Sequence, residues 1–513
     1  MYAADIRKSD PKLAAIEHIP RPAMRSHTAA QQQGTLALPV KLYLAAVLLP
    51  IGFNIGPLYL NLLRIVLLVM FVPLTVKLFS GRYGRILVPD ILFFAMMPWM
   101  AITTAINDPG QVLQSVGSTS LEFLGGYVLA RAYIRTAADF TALSRAIILM
   151  IALTLPIAVY ELKTNDPLVL QFLERIPGIR TEGVIRGPDE MRKGLYRVQA
   201  VFAHPIHYGM FGSIGFALCF VGLKGIFSTT RRYVMTAIIT FCTLSSLSSG
   251  AWLPIFLQSG LITWAYMLNK IEKRWVILIG LIVLAYIYVS VMSNRPPLIV
   301  FATYTSFSSW NAYWRANIFE FGMQNVWANP WFGIGLTPDW ARPAWMRTAS
   351  VDNFWLVIAM RYGFPGIGLL LIGYVQPIWA IAIRKIDRGT MAWQQRRAWV
   401  MVFIGLTFAL TTVHVWSTMY SFVFFMFGAG MWFLTTPAEE SRSAADLERH
   451  PLAGPRSMTP RNPVLARDQS QPVVAVISSA ETVAETVPVT NQKSGPRYTR
   501  FPRKTRSAAS KPL

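Results

Sequence analysis

Cysteine, acid and histidine are all scarce in this chain, and each shortage closes off a class of protein. Only 2 of 513 residues are cysteine. Both, Cys219 and Cys242, fall inside apolar segments, so no extracytoplasmic disulfide framework is expected. Charged residues make up 14% of the chain against 53% hydrophobic, and the mean hydropathy is +0.41. Those values describe a membrane protein rather than a set of soluble domains. The 6 histidines include His204 and His207 at i,i+3 spacing, but no further Cys, His or carboxylate stands at ligand spacing beside them, so no metal or cofactor is expected. No Gly-x-x-x-x-Gly-Lys-Ser/Thr phosphate loop occurs. Residues 1–36 are polar and mildly basic and lack an apolar core followed by a small-residue cleavage site, so no cleavable signal is expected.

What is abundant is apolar sequence in lengths that match a bilayer. Segments near 38–56, 58–79, 88–106, 114–134, 144–162, 204–224, 233–249, 250–269, 275–294, 353–383, 397–414 and 417–436 each offer roughly 20 apolar residues, the length that crosses about 30 Å of hydrocarbon. The expected fold is an all-α polytopic membrane protein of about 12 transmembrane helices. Within 353–383, Gly363, Pro365 and Gly366 mark a break between a short helix and a longer span.

Orientation follows from the basic residues. With residues 1–36 as a cytoplasmic basic tail, the cytoplasmic connections hold Lys77, Arg82 and Arg85, then Arg131, Arg135 and Arg145, then Lys224, Arg231 and Arg232. Lys270, Lys273 and Arg274 follow, then Arg384, Lys385, Arg388, Arg396 and Arg397, whereas the short connections near 107–113 and 414–416 carry no Lys or Arg. This alternation predicts a multi-pass membrane domain over 37–436 with both termini cytoplasmic. The net charge of +23 is thereby explained by topology and anionic headgroups, with no nucleic-acid partner. Residues 437–513, rich in Pro, Ser, Thr, Ala and Arg, read as a disordered cytoplasmic tail.

Two large extracytoplasmic loops remain, about 163–203 and 295–352. They hold Arg175, Arg180, Arg186, Arg192, Arg197 and Arg315, cations that the inside-positive bias does not explain, because long translocated loops escape it. Arg197 precedes a span in Tyr196-Arg197-x4-Phe202-x-His204-Pro205-x3-Gly209. A guanidinium there suits bidentate phosphate binding, with lipid snorkelling as the competing role. His204 is read as a hydrogen-bonded structural histidine or as a proton acceptor or donor. In the second loop, Trp310-Asn311-x2-Trp314-Arg315-x2-Ile318-Phe319-x2-Gly322-Met323-x2-Val326-Trp327 spaces apolar residues by three and four. That spacing predicts a short interfacial helix, stopped by Asn329-Pro330-Trp331-Phe332-Gly333-x-Gly335. Asp352, beside Asn353 where the chain re-enters the bilayer, reads as a helix N-cap, a base facing an outer cavity, or both.

At these residues the chain resembles the O-antigen ligases and the Wzy-type polysaccharide polymerases of bacterial envelopes. In topology the resemblance covers about 40–435. It rests on Arg197, Phe202 and Pro205; on Arg315 followed by Asn329-Pro330 and Gly333-x-Gly335; and on Asp352-Asn353, nine residues, then Gly363-x-x-Gly366. Two features depart from the family pattern. Asp352 stands where the ligases have His, and the family's Ser-Arg-Gly-Ala-Trp run is Ser248-Ser249-Gly250-Ala251-Trp252 without its arginine.

The resemblance implies a metal-independent glycosyltransferase of the bacterial inner membrane, acting at its outer face in exopolysaccharide or O-antigen biosynthesis. Its donor would be a glycan on a polyprenyl diphosphate, held by Arg197, Arg315, Asn353, Arg186 and Arg192. Asp352 or His204 would assist attack by an acceptor hydroxyl. Membrane lipids, a chain-length regulator and export machinery are the further partners it suggests. Polymerisation of repeats is the leading activity, with ligation of the glycan to a lipid acceptor as the alternative. A flippase-type transporter is the reading from another class. It would favour two similar halves and ionisable groups at mid-membrane, for which Glu122 is the best sign.

Overall fold

The computed structural model describes residues 34–435 apart from 57, 184–190, 193, 295–296, 298–299, 301–308, 338 and 347–348. Most of the N-terminal tail, the tail after 435 and Arg186 lie outside the described residues. The chain divides into Met1–Pro451 and Leu452–Leu513, and the described residues belong to the first unit.

The protein is mostly helical. Helices α1 (Leu38–Leu48), α2 (Leu62–Phe79), α3 (Val88–Asn107), α4 (Gly117–Tyr133), α5 (Ala137–Leu153), α6 (Leu155–Thr164) and α7 (Leu168–Glu174) form the first half. Then come α8 (Pro205–Ala217), α9 (Thr229–Leu244), α10 (Ser249–Met267), α11 (Arg274–Met292), α12 (Ser309–Ala328), α13 (Phe354–Ile383), α14 (Met391–Ala409), α15 (Ser417–Gly428) and α16 (Trp432–Thr435). Among the described residues, 7 apolar helical stretches are long enough to cross a membrane: Leu62–Phe79, Val88–Asn107, Ala137–Thr164, Pro205–Gly222, Arg274–Met292, Phe354–Ile383 and Ser417–Thr435. The expected first span is shorter than its apolar sequence. Helix α1 stops at Leu48, and the antiparallel hairpin β1 (Gly52–Ile55) and β2 (Leu58–Asn61) follows. Pro50 cannot continue a helix, and Gly56 takes the positive φ (58°) that turns the hairpin.

The centre is built on close approach between α4 and α15. A Cβ on Gly126 would lie 2.6 Å from the Ser421 carbonyl oxygen, and one on Gly428 would lie 2.4 Å from that of Tyr127. Small residues at such crossings let helices gain dispersion contacts where lipid offers no hydrophobic drive. Around the crossing Phe93, Phe123, Tyr127, Phe424 and Phe427 interlock, as in the Phe123–Phe424 edge contact at 4.4 Å. Two buried acids, Glu122 and Asp90, face arginines. Arg64 Nε donates to Glu122 at 2.8 Å, and Arg131 Nε lies 3.7 Å from Asp90. Glu122 therefore belongs to a helix–helix ion pair with α2, the arrangement expected of a charge kept in a dry interior.

One crossing positions the site. At Gly363 (φ 65°, ψ −172°) helix α13 breaks, and the Asn329–Gly335 turn inserts there. Phe364 N–H donates to the Pro330 carbonyl and Ile334 N–H to the Met360 carbonyl, each at 2.7 Å. A Cβ on Gly363 would sit 2.2 Å from the Trp331 carbonyl oxygen, and one on Gly333 would sit 2.4 Å from that of Met360. Both glycines are thus demanded by backbone-on-backbone contact as well as by positive φ. Trp99 Nε1 holds the Tyr362 carbonyl at 2.9 Å from the other side.

Candidate active site

Arg192 and the segment that carries Arg197 are fixed by backbone carbonyls at the end of α9. There the 245–247 turn leaves helix C-terminal carbonyls without helical partners, the partially negative end of the helix. Arg192 Nη1 donates to the Leu247 carbonyl at 2.9 Å, and Val198 N–H donates to that of Ser245 at 3.1 Å. Arg197 Nε reaches the Ser246 carbonyl at 3.4 Å. Just beyond, the Glu161 carboxylate accepts the backbone N–H groups of Gln199 (2.9 Å) and Ala200 (2.8 Å). These bonds hold Arg192 and residues 197–200 against the bundle, with Arg197 buried and Arg192 exposed.

His204 is the N-cap of α8, its Nδ1 accepting the Ile206 N–H at 3.1 Å. That bond consumes the Nδ1 lone pair, so in the neutral ring the proton resides on Nε2.

The N-terminal ends of α8 and α10 and the segments 334–337 and 349–361 enclose a cavity of about 510 Å³. Four arginines line it, Arg192, Arg197, Arg315 and Arg361, with Asp352 the only carboxylate among its described lining residues. His204, His414, Trp314, Trp340 and Trp416 complete its polar and aromatic walls. Burial lowers the Arg315 guanidinium pKa below its ordinary value and neighbouring Arg192 adds to this, while the Asp352 charge opposes both. An arginine stays charged under either influence at working pH. Burial, reinforced by Arg361, pushes His414 down to about 3, so that imidazole is neutral.

A second, apolar groove of about 380 Å³ adjoins this cavity, walled by Phe319, Met323, Leu356, Ile367 and Leu371. Arg315 lines both spaces. Helix α12 explains how. Ile318 and Val326 bury against Leu356, Ala359 and Met360 of α13, which leaves Phe319 and Met323, at four-residue spacing from Arg315, on the groove wall.

The sequence-selected residues separate here. Asp352, His204, Arg192, Arg197 and Arg315 come together in the cavity. Asn353 lines the groove instead and is the N-cap of α13, its Oδ1 accepting the Leu356 N–H at 3.1 Å. The cap expected at Asp352 thus belongs to its neighbour. The Asp352 carboxylate accepts the Ser350 hydroxyl at 3.2 Å and faces the cavity. Arg175 and Arg180 do not line the cavity, and Arg180 pairs its backbone with Gly52. Arg361 and His414 are cavity residues that sequence reasoning did not select. The signal for Arg361 was a lone cation inside a 30-residue apolar helix, a position that marks function in membrane segments. Among the described residues, no group of three or more His, Cys, Asp or Glu is placed to hold a metal ion.

Residues 234–371 match the family model described as O-antigen ligase, in agreement with the family resemblance of the sequence. The match runs from within α9 to the middle of α13, including Arg315, Asp352 and the Gly333–Gly363 crossing, and leaves out Arg192, Arg197 and His204. No curated protein matches the chain.

Proposed function

We propose that this chain, whose residues 234–371 match the O-antigen ligase family model, is a glycosyltransferase that polymerises polyprenyl-diphosphate-linked oligosaccharide repeats at the outer face of the bacterial inner membrane. The observation that carries this reading is the position of Arg315 where a polar, arginine-lined cavity meets an apolar groove. A lipid-linked glycan has the same division. Its polyprenyl chain suits the groove of Phe319, Met323, Leu356 and Leu371, its sugars the cavity, and its diphosphate the junction between them. Both termini are cytoplasmic in this arrangement, and the remaining apolar helices complete a multi-pass domain.

In the transfer step an acceptor hydroxyl attacks the anomeric carbon of the donor. The new O–C bond forms as the bond from that carbon to the phosphate oxygen breaks, and polyprenyl diphosphate leaves with the electron pair. Asp352 takes the hydroxyl proton. Arg315, Arg197 and Arg192 neutralise charge developing on the leaving diphosphate, with His204 beside them in the cavity wall. Arg192, anchored on Leu247 O, stands beside Ser248 and Ser249 in the cavity wall. It supplies a cation next to the position where the family's Ser-Arg-Gly run has its arginine.

Ligation of the finished glycan to a lipid acceptor is the second reading, favoured by the description of the matched family. Deletion of the gene separates the two. Loss of long chains with accumulation of single lipid-linked repeats is expected for a polymerase, and long chains that stay lipid-linked would assign the ligase. Normal polysaccharide in the deletion strain would refute both.

A further inference from the structure

Helix α12 presents a second face to which the transfer step assigns nothing. Positions 310, 314, 317 and 321 recur at spacings of four and three and so share one side of the helix, away from the groove wall of Arg315, Ala316, Phe319 and Met323. On that side Trp314 lines the polar cavity, and two aromatic rings continue outward from it. Trp310 lies 6.2 Å from Trp314 with 26° between the ring planes, and Trp345 lies 6.0 Å away, edge-on at 72°. Phe321 supports Trp345 at 6.1 Å, and Tyr313 lies 6.1 Å from Trp310. The outer members are open, with Trp310 66%, Tyr313 54% and Trp345 51% exposed. Other exposed rings occur, such as Trp327 at 67%, but these three indoles stand in mutual contact and lead from the cavity.

We propose that Trp314, Trp310 and Trp345 form a carbohydrate-binding track that carries the glycan from the cavity onto the protein surface. The proposal rests on the glycosyltransferase reading of the cavity. An indole offers a flat, electron-rich face, and the C–H-bearing face of a pyranose is flat, apolar and weakly positive at its hydrogens. Rigid aromatic rings lose little conformational entropy on binding and tolerate different sugars, because every ring has a face. A membrane-surface belt of tryptophans is the competing use of exposed indoles. It would put them on the side of α12 that lines the apolar groove, whereas this stack begins in the arginine cavity and lies on the other side.

The test measures binding to the full-length protein in lipid nanodiscs without any transfer reaction. The probes are oligosaccharides of one, two and four repeats, released by mild acid from the host's own envelope polysaccharide. Affinity is expected to rise with length, and Trp310→Ala or Trp345→Ala should each weaken the four-repeat ligand by roughly three- to tenfold. Trp310→Phe should recover most of the loss, and Trp327→Ala, an exposed indole outside the stack, should change nothing. Length-independent affinity, or unchanged binding in Trp310→Ala, overturns the track. Quenching of Trp310 fluorescence by brominated lipid overturns it in favour of a membrane belt. Normal transfer by Arg315→Ala would instead defeat the reading of the cavity, and length-dependent binding would still decide the track.

Discussion

Replacing Asp352 with Asn removes a negative charge and a proton acceptor while leaving the local fold in place. Helix α13 is capped by Asn353 through a 3.1 Å bond to Leu356 N–H, so no cap is lost at 352. Asp352 has one described side-chain hydrogen bond, from Ser350 at 3.2 Å, and an Asn oxygen can accept it equally well. The melting temperature should therefore barely move, since a surface change of this kind falls within about 0.5 kcal/mol. Arg315 loses a neighbour that favours its charge, but a guanidinium remains charged regardless. What is left is the base. Its removal should slow transfer by roughly 10²–10⁴-fold, about 3–5 kcal/mol of barrier. Asp352→His should restore part of the rate, with activity falling off on acidification below about pH 6.5, the ordinary imidazole range. Asn353→Ala is the counterpart, costing about 0.5–2 kcal/mol of stability through the lost cap without the pH signature. The assay is single-turnover transfer from a synthetic polyprenyl-diphosphate repeat by purified variants in lipid, beside thermal unfolding of the same samples. Transfer by Asp352→Asn within threefold of wild type would refute the catalytic assignment.

Arg315→Ala should abolish transfer at normal membrane insertion, while Arg315→Lys keeps the charge, loses the bidentate fork and retains partial activity. Unchanged turnover in the alanine variant would place the arginine outside the donor site. Arg192→Ala should reduce transfer, and adding Ser249→Arg should restore part of it by returning a cation to the wall that Arg192 supplies; no rescue would mean that the two positions are not equivalent. Labelling with an impermeant thiol reagent in intact cells should modify Asp339→Cys, whose side chain is 88% exposed, but not Arg388→Cys, 76% exposed, and the reverse pattern would invert the topology. His414, held near 3 against an unfolded value of about 6.5, binds its proton more readily when unfolded. Its contribution to stability is thus complete above about pH 6.5 and is lost as pH falls toward 3. Melting temperatures should decline over that window, and His414→Gln should flatten the decline.

The mostly helical fold could be read from the apolar runs, although of the roughly 12 spans expected 7 stretches among the described residues are long and apolar enough to cross a membrane, and the break in α13 was visible in Gly363-x-Pro365-Gly366. The cavity was legible in part. Arg192, Arg197, Arg315, His204 and Asp352 stood out because cations and titratable groups near apolar segments need a reason. The division of labour between Asp352 and Asn353 was not legible, since adjacent residues of similar capping strength differ only in the backbone angles that fold them. Arg361 and His414 were not selected as site residues because each sits in a different segment, and nothing local announces that two such segments meet. The shortening of α1 was written in Pro50 and Gly56, but a hydropathy window averages across both.

The insertion of the Asn329–Gly335 turn at the break of α13 bears on how such a protein can diversify. The two hydrogen bonds that join turn and break run from main chain to main chain, the side chains that brace the joint come from α3 and the residue after it, and position 352 lies 11 residues ahead of Gly363 in sequence. The scaffold and the reactive group are therefore separately editable. A lineage can exchange an imidazole for a carboxylate at 352 without disturbing the joint that keeps the cavity wall in register. The same separation means that the glycine signature by itself certifies the joint, whereas the residue at 352 and the cations around it tell which reaction, if any, the joint still serves.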